Sequence, residues 1–115
     1  MNGKYKVINL EEGMPTSDKA IRSLTFELNT AKKFGYTAIK LIHGFGSSGT
    51  GGKIRVEVRN YLLRLHKRDE IQAFIIGERF SIFDEDTRIA LNMCDELRSD
   101  RDLERHNNGI TIVIL

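Results

Sequence analysis

A single cysteine, Cys94, is all the thiol chemistry this 115-residue chain carries, which excludes an internal disulfide and any metal site built from several thiolates. No uninterrupted apolar run approaches the roughly 20 residues needed to span a bilayer. The opening residues, MNGKYKVINLEEG, lack the apolar segment of a secretory signal, so a cytoplasmic location is expected. Repeats, low-complexity tracts and linker-like stretches are missing as well, and residues 1–115 are expected to form one domain. Of three histidines, His66 and His106 stand isolated, without partners at metal-ligand spacing. They are expected at the surface, and no metal site or cofactor is read from the chain.

What the chain does have is an ordinary balance of 30% charged and 40% hydrophobic residues, as a folded soluble protein has. Its net charge of +2 conceals an asymmetry. Residues 1–77 hold 13 Lys and Arg against 7 Asp and Glu, whereas residues 78–115 hold 5 against 9. A polyanion would land on the first part.

Read in order, Lys4 to Leu10 alternates polar and apolar, a short strand. Thr16 or Ser17 can cap a helix in which Ile21, Leu24, Leu28 and Ala31 recur on one face, and Gly35 can end it. Thr37 to Ile42 is a second strand, parallel to the first because so long a crossover joins them. A second helix buries Ile54, Val58, Tyr61, Leu62 and Leu65. IQAFII (71–76) reads as a third strand, placed centrally because it is apolar. The polar segment 78–108 holds a third helix, with Asp84 as its cap and Ile89, Met93 and Leu97 recurring at spacing four beside Ala90 and Cys94. ITIVIL closes the chain as a buried fourth strand. The order β-α-β-α-β-(α)-β predicts an α/β two-layer sandwich over one four-stranded mixed sheet.

The chemistry concentrates between Ile39 and Leu65. A strand ends at His43, five of the nine residues from Gly44 to Gly52 are glycine, and a basic helix follows. A helix start carries unpaired N–H groups and the positive end of the peptide dipoles, and glycine lets backbone approach a phosphate closely. Gly44, Gly46, Gly49, Gly51 and Gly52 are therefore candidate phosphate contacts, with Lys53, Arg55 and Arg59 as the cations beside them. Phe45 and Tyr36 are candidates for base stacking. Arg64, Lys67 and Arg68 lie at the far end of the helix and are expected to be solvated. His43 is the one side chain of the loop expected to titrate near neutrality. Asn9, Glu11 and Glu12 end the first strand on the same sheet edge, so either carboxylate could approach His43 and assist it in acid–base work.

Two nucleotide fingerprints fail in detail. Gly44-x-Gly46-x-x-Gly49 follows the second strand and lacks the acidic residue expected after the next one. The Walker spacing fails because Ser47 stands where a glycine belongs and Ile54 follows Lys53 in place of Ser or Thr.

LIHGFG followed by GGKIRVEVRNYL, with GITIVIL at the end, resembles the Smr (small MutS-related) domain, whose hallmark is a strand running into His-Gly-x-Gly. The resemblance spans most of the chain and is thinnest over 78–108. It implies a sandwich similar to the C-terminal domain of bacterial initiation factor three, nucleic-acid binding, and in some members nicking or endonuclease cleavage of DNA or RNA. His43, Gly44 and Gly46 occupy the HGxG positions. The family's LDxH element falls on Ile8-Asn9-Leu10-Glu11, so Asn9 replaces its Asp and Glu11 its His. The glycine loop is longer than usual and the third-helix insertion is unusual.

Three readings remain open on these residues. One is a DNA or RNA endonuclease in which His43 moves the proton, aided by Glu11 or Glu12, while loop amides, Lys53 and Arg55 hold the phosphodiester. Another is a catalytically silent module bound to nucleic acid, a ribosome or a repair intermediate. The third is a binder of a small nucleotide or phosphate. No membrane partner is expected, a monomer is, and divalent-metal dependence is not set by the residues.

Overall fold

The structure, a computed structural model, describes residues 3–13, 15–45 and 50–115. The strands are β1 (Lys4–Asn9), β2 (Tyr36–Ile42), β3 (Ala73–Ile76) and β4 (Ile110–Ile114), and the helices α1 (Ser17–Lys33), α2 (Thr50–Lys67) and α3 (Glu85–Met93). They form one mixed sheet in the order β1-β2-β4-β3, with β1 parallel to β2 and β4 antiparallel to both β2 and β3. The four-stranded mixed α/β sheet is as expected. Among the described residues no helix is long and apolar enough to cross a membrane.

Local chemistry sets the helix ends. The Thr16 hydroxyl accepts from the Lys19 N–H at 3.3 Å, Lys32 and Lys33 sit in the last turn of α1, and Gly35 takes φ +76° just beyond it. That conformation suits glycine. At α3 the Asp84 carboxylate accepts from the Thr87 N–H at 3.0 Å, the capping role expected of it.

The period-two alternation of the central strands divides the core. Ile39, Leu41 and Val113 join Leu24, Leu28, Val58 and Leu62 in the cluster under α1 and α2. Ala38, Ile110, Ile112 and Ile114 join Phe80, Ala90, Leu91 and Leu97 in a second cluster on the opposite face. The sheet with α1 and α2 makes the expected two layers, and segment 78–108 covers the face that the element order had left open. Both faces of β4 are therefore covered, and all five of its residues are buried.

Two expectations are corrected. The strand read from IQAFII lies at the sheet's edge and begins at Ala73. Its apolar character comes from having two covered faces, since Phe74 packs into the α1–α2 cluster and Ile75 into the other. The third helix stops at Met93, where Cys94 turns extended and a short 3₁₀ turn (Asp95–Ser99) follows. Its buried face is Thr87, Ala90 and Leu91, leaving Ile89 about half exposed at 49%.

One charge on β2 points into the second cluster's side of the sheet. Lys40 is buried, its Nζ 2.8 Å from Asp100 Oδ1 and 2.5 Å from Asp102 Oδ2. The Tyr5 hydroxyl donates to Asp100, and Asn107 Nδ2 donates to Asp102 Oδ1 at 2.9 Å. Burial would raise the Asp102 carboxyl, but the Lys40 and Asn107 hydrogen bonds outweigh it and hold it below the ordinary range. Burial and the neighbouring Asp100 push the Tyr5 hydroxyl in the opposite direction, well above the usual phenol. These bonds bolt segment 78–108 to the sheet.

Candidate functional site

Because β4 runs against β1, β2 and β3, the carboxyl ends of those three strands and the start of β4 share one edge. Residues 9–12, 43–45, 77–79 and 107–109 meet there. Open α/β sheets bind ligands at such an edge.

His43 sits at its centre and is fully buried. The backbone N–H groups of His43 and Gly44 both donate to the Gly109 carbonyl, each at 3.0 Å. His43 Nδ1 lies 2.8 Å from the Gly44 carbonyl, which can only accept, so Nδ1 carries the proton. Nε2 is then an acceptor, and the Thr111 hydroxyl donates to it at 2.8 Å. Thr111 Oγ1 in turn accepts from Arg59 Nε at 3.2 Å. The rest of the Arg59 guanidinium forks onto Glu78 at 2.8 and 2.9 Å and also donates to the Asn108 and Ile110 carbonyls at 3.3 and 3.2 Å.

The electrostatics follow. Burial is the main force lowering the His43 pKa to about 4; the Gly44 carbonyl opposes it, and the positive charges of Arg59 and Arg55 add to it. Burial would raise the Glu78 carboxyl, but the Arg59 bonds prevail and keep it below its usual value. The expectation that His43 titrates near neutrality is thus corrected: the ring is neutral at pH 7 and both of its nitrogens are committed to protein. It braces the edge.

Glu11 reaches the shared edge at Gly44 and not at the His43 imidazole, whose two nitrogens are engaged by Gly44 and Thr111. Its carboxylate lies against Gly44, so that a Cβ built on that glycine would fall 1.8 Å from Glu11 Oε1. Gly44 also holds φ +76°, so side-chain bulk is excluded there twice over. The Glu11 N–H donates to Asn9 Oδ1 at 2.9 Å, which shapes the turn. Glu12 is not brought to His43. It lines a groove beside β1 with Lys6, Ser23 and Glu27.

The binding candidates separate in the same way. Phe45 is 54% exposed beside Gly109, whose notional Cβ would lie 3.3 Å from the Phe45 ring. Helix α2 begins at Thr50, so Gly51, Gly52 and Lys53 belong to its first turn and not to a loop. Lys53 is exposed and Arg55 half-buried. Arg59 is corrected from phosphate contact to internal strut, because its guanidinium is spent on Glu78, Thr111 and two carbonyls. Gly46 and Gly49 lie outside the described residues. Tyr36 starts β2, at the opposite end from Phe45, with the Lys4 and Lys6 ammonium groups 5.8 and 5.2 Å from its ring centre. It cannot stack a base at this edge. His66 and His106 are exposed, as expected; His106 Nδ1 donates to the Glu78 carbonyl at 3.1 Å. Among the described residues no group of three or more His, Cys, Asp or Glu could hold a metal ion.

Sequence reasoning missed Thr111, Glu78 and the Gly109 carbonyl. A signal for the first was present: Thr111 is the lone polar residue in ITIVIL, and a hydroxyl on a buried strand needs a partner.

No protein-family profile matches the chain, and no curated protein does. Among solved structures, the fold is similar to the crystal structure of the Smr domain of Thermus thermophilus MutS2, with 20% identity, 96% of each chain covered and a TM-score of 0.58. A likeness at that identity is one of fold. The Smr-like fold implied by the HGxG resemblance is the fold this chain has.

Proposed function

We propose that the chain is a nucleic-acid-binding module of Smr type that holds a phosphate backbone at this sheet edge without cleaving it. The observation that carries the reading is the opening of α2 at Thr50, which sets Lys53 and Arg55 in the first turns of the helix that follows the exposed Phe45 in the chain. Amides at a helix start lack intrahelical acceptors and favour anions. The aromatic ring supplies a stacking surface for an unpaired base.

Cleavage through His43 gains no support from this geometry. A proton carrier must meet the reacting oxygen within hydrogen-bond reach, and His43 is buried with both nitrogens engaged. Its role in the proposal is to hold Gly44 and Phe45 in place.

Fluorescence anisotropy with labelled single- and double-stranded DNA and RNA over a range of salt tests the reading. Affinity should fall linearly in log–log form, and Lys53→Ala with Arg55→Ala should weaken binding about tenfold and flatten the slope by about two. Arg64→Ala, in the exposed last turn of α2, should leave both nearly unchanged. A slope near one, or no effect of the two cations, would favour a pocket for a small phosphate compound. Magnesium-dependent cleavage that His43→Ala abolishes would overturn the non-catalytic role.

A further inference from the structure

The geometry points to a preference for RNA over DNA, set by Glu11, whose carboxylate accepts a hydrogen bond from the ribose 2′-hydroxyl of a nucleotide seated at Phe45. This inference rests on the reading that the edge binds nucleic acid, and it names which kind.

A negative charge is out of place on a surface that receives phosphates, yet one is built in. Glu11 is half-buried with its carboxylate against Gly44, one residue before the exposed Phe45 ring. The hydrogen bond that fixes the residue is made by its backbone N–H to Asn9 Oδ1 at 2.9 Å. Among the described residues none is made by the carboxylate. Glu12, one residue on, points away into the groove beside Lys6, so the placement of Glu11 is specific to its position and not shared by the turn.

A carboxylate is an acceptor only. A nucleotide stacked on Phe45 with its phosphate toward Lys53 and Arg55 presents its sugar to the Gly44 backbone, where Glu11 lies. Deoxyribose offers that carboxylate no donor, so DNA meets only repulsion of its phosphates and lost hydration. Ribose offers the 2′-hydroxyl, which is the group that distinguishes the two polymers. A charge-assisted hydrogen bond to it offsets the repulsion. Gly44 is what permits the approach, because a Cβ there would occupy the position of the carboxylate.

The test compares fluorescein-labelled oligouridylate with the deoxyuridylate of equal length, which differ only in the 2′-hydroxyl, at one fixed salt concentration. Wild type should prefer the ribo form by about tenfold. Glu11→Ala should bring the ratio near one, with the deoxy form bound more tightly than by wild type. Glu11→Gln keeps an acceptor oxygen without the charge and should retain part of the preference. Glu12→Ala should keep all of it. Circular dichroism confirms that each variant is folded. Equal binding by wild type, a preference for the deoxy form, or a ribo preference that survives Glu11→Ala overturns the inference while the binding reading stands. Failure of wild type to bind either polymer overturns the reading itself, and the inference with it.

Discussion

His43 Nε2 and Thr111 Oγ1 lie 2.8 Å apart although 68 residues separate them in the chain. The hydroxyl gives its one proton to the imidazole and takes one from Arg59 Nε, so a single oxygen ties β2, β4 and α2 together. Thr111→Val keeps the shape and removes the relay, leaving two buried polar groups without their partner. Urea unfolding should show a loss of about 2–3 kcal/mol. Thr111→Ser should retain most of the stability, and equal loss in both variants would count against the relay.

The buried imidazole makes stability depend on pH in a defined window. The folded His43 pKa of about 4 lies below the ordinary 6.5, so the unfolded chain takes up the proton first. Stability from this group is complete above pH 6.5 and declines as pH falls toward 4, by up to about 3 kcal/mol. The depressed carboxyls of Glu78, Asp84, Asp102 and Glu104 give up their contributions at lower pH, below their ordinary values. Between pH 6.5 and about 5 the slope in chemical-denaturation free energy should therefore vanish in His43→Gln. An unchanged slope would show that the imidazole is not the titrating group.

Lys40 is the bolt of the second core. Lys40→Met should cost about 3–5 kcal/mol, because Asp100 and Asp102 are left buried without their counter-charge. Amide hydrogen exchange should quicken in segment 78–108 while α1 and α2 stay protected. Uniform loss of protection would mean that the two sides of the sheet unfold as one.

Gly44→Ala meets two penalties, a left-handed backbone and a collision with Glu11. About 2 kcal/mol or more should be lost in urea unfolding. Glu11→Gly in the same chain should restore the collision's share and leave the backbone's, a coupling of about 1 kcal/mol in a double-mutant cycle. Strict additivity would place the carboxylate elsewhere.

Much of the architecture was written in local pattern. The Thr16 and Asp84 caps, the α1 stripe, the buried α2 face and the parallel β1–β2 pair all follow from spacing and capping chemistry, which act within a few residues. The HGxG run led to the correct fold from a handful of positions. The site was read less well. Lys53, Arg55 and Phe45 stand where a ligand could meet them, but His43 and Arg59, read as proton carrier and phosphate contact because they adjoin a glycine loop and a basic run, are internal supports.

The amino-acid order by itself determined which faces of α1, α2 and the central strands avoid water and where the Thr16 and Asp84 caps fall, since hydrophobic period and terminal hydrogen bonds are local properties. Only the tertiary structure decided which neighbour does the covering. It put β3 at the edge, laid segment 78–108 over the second face through Lys40, and enclosed His43 between Gly109 and Thr111. A pKa and a hydrogen-bond partner depend on atoms brought together from distant parts of the chain, and no pattern within one segment contains them.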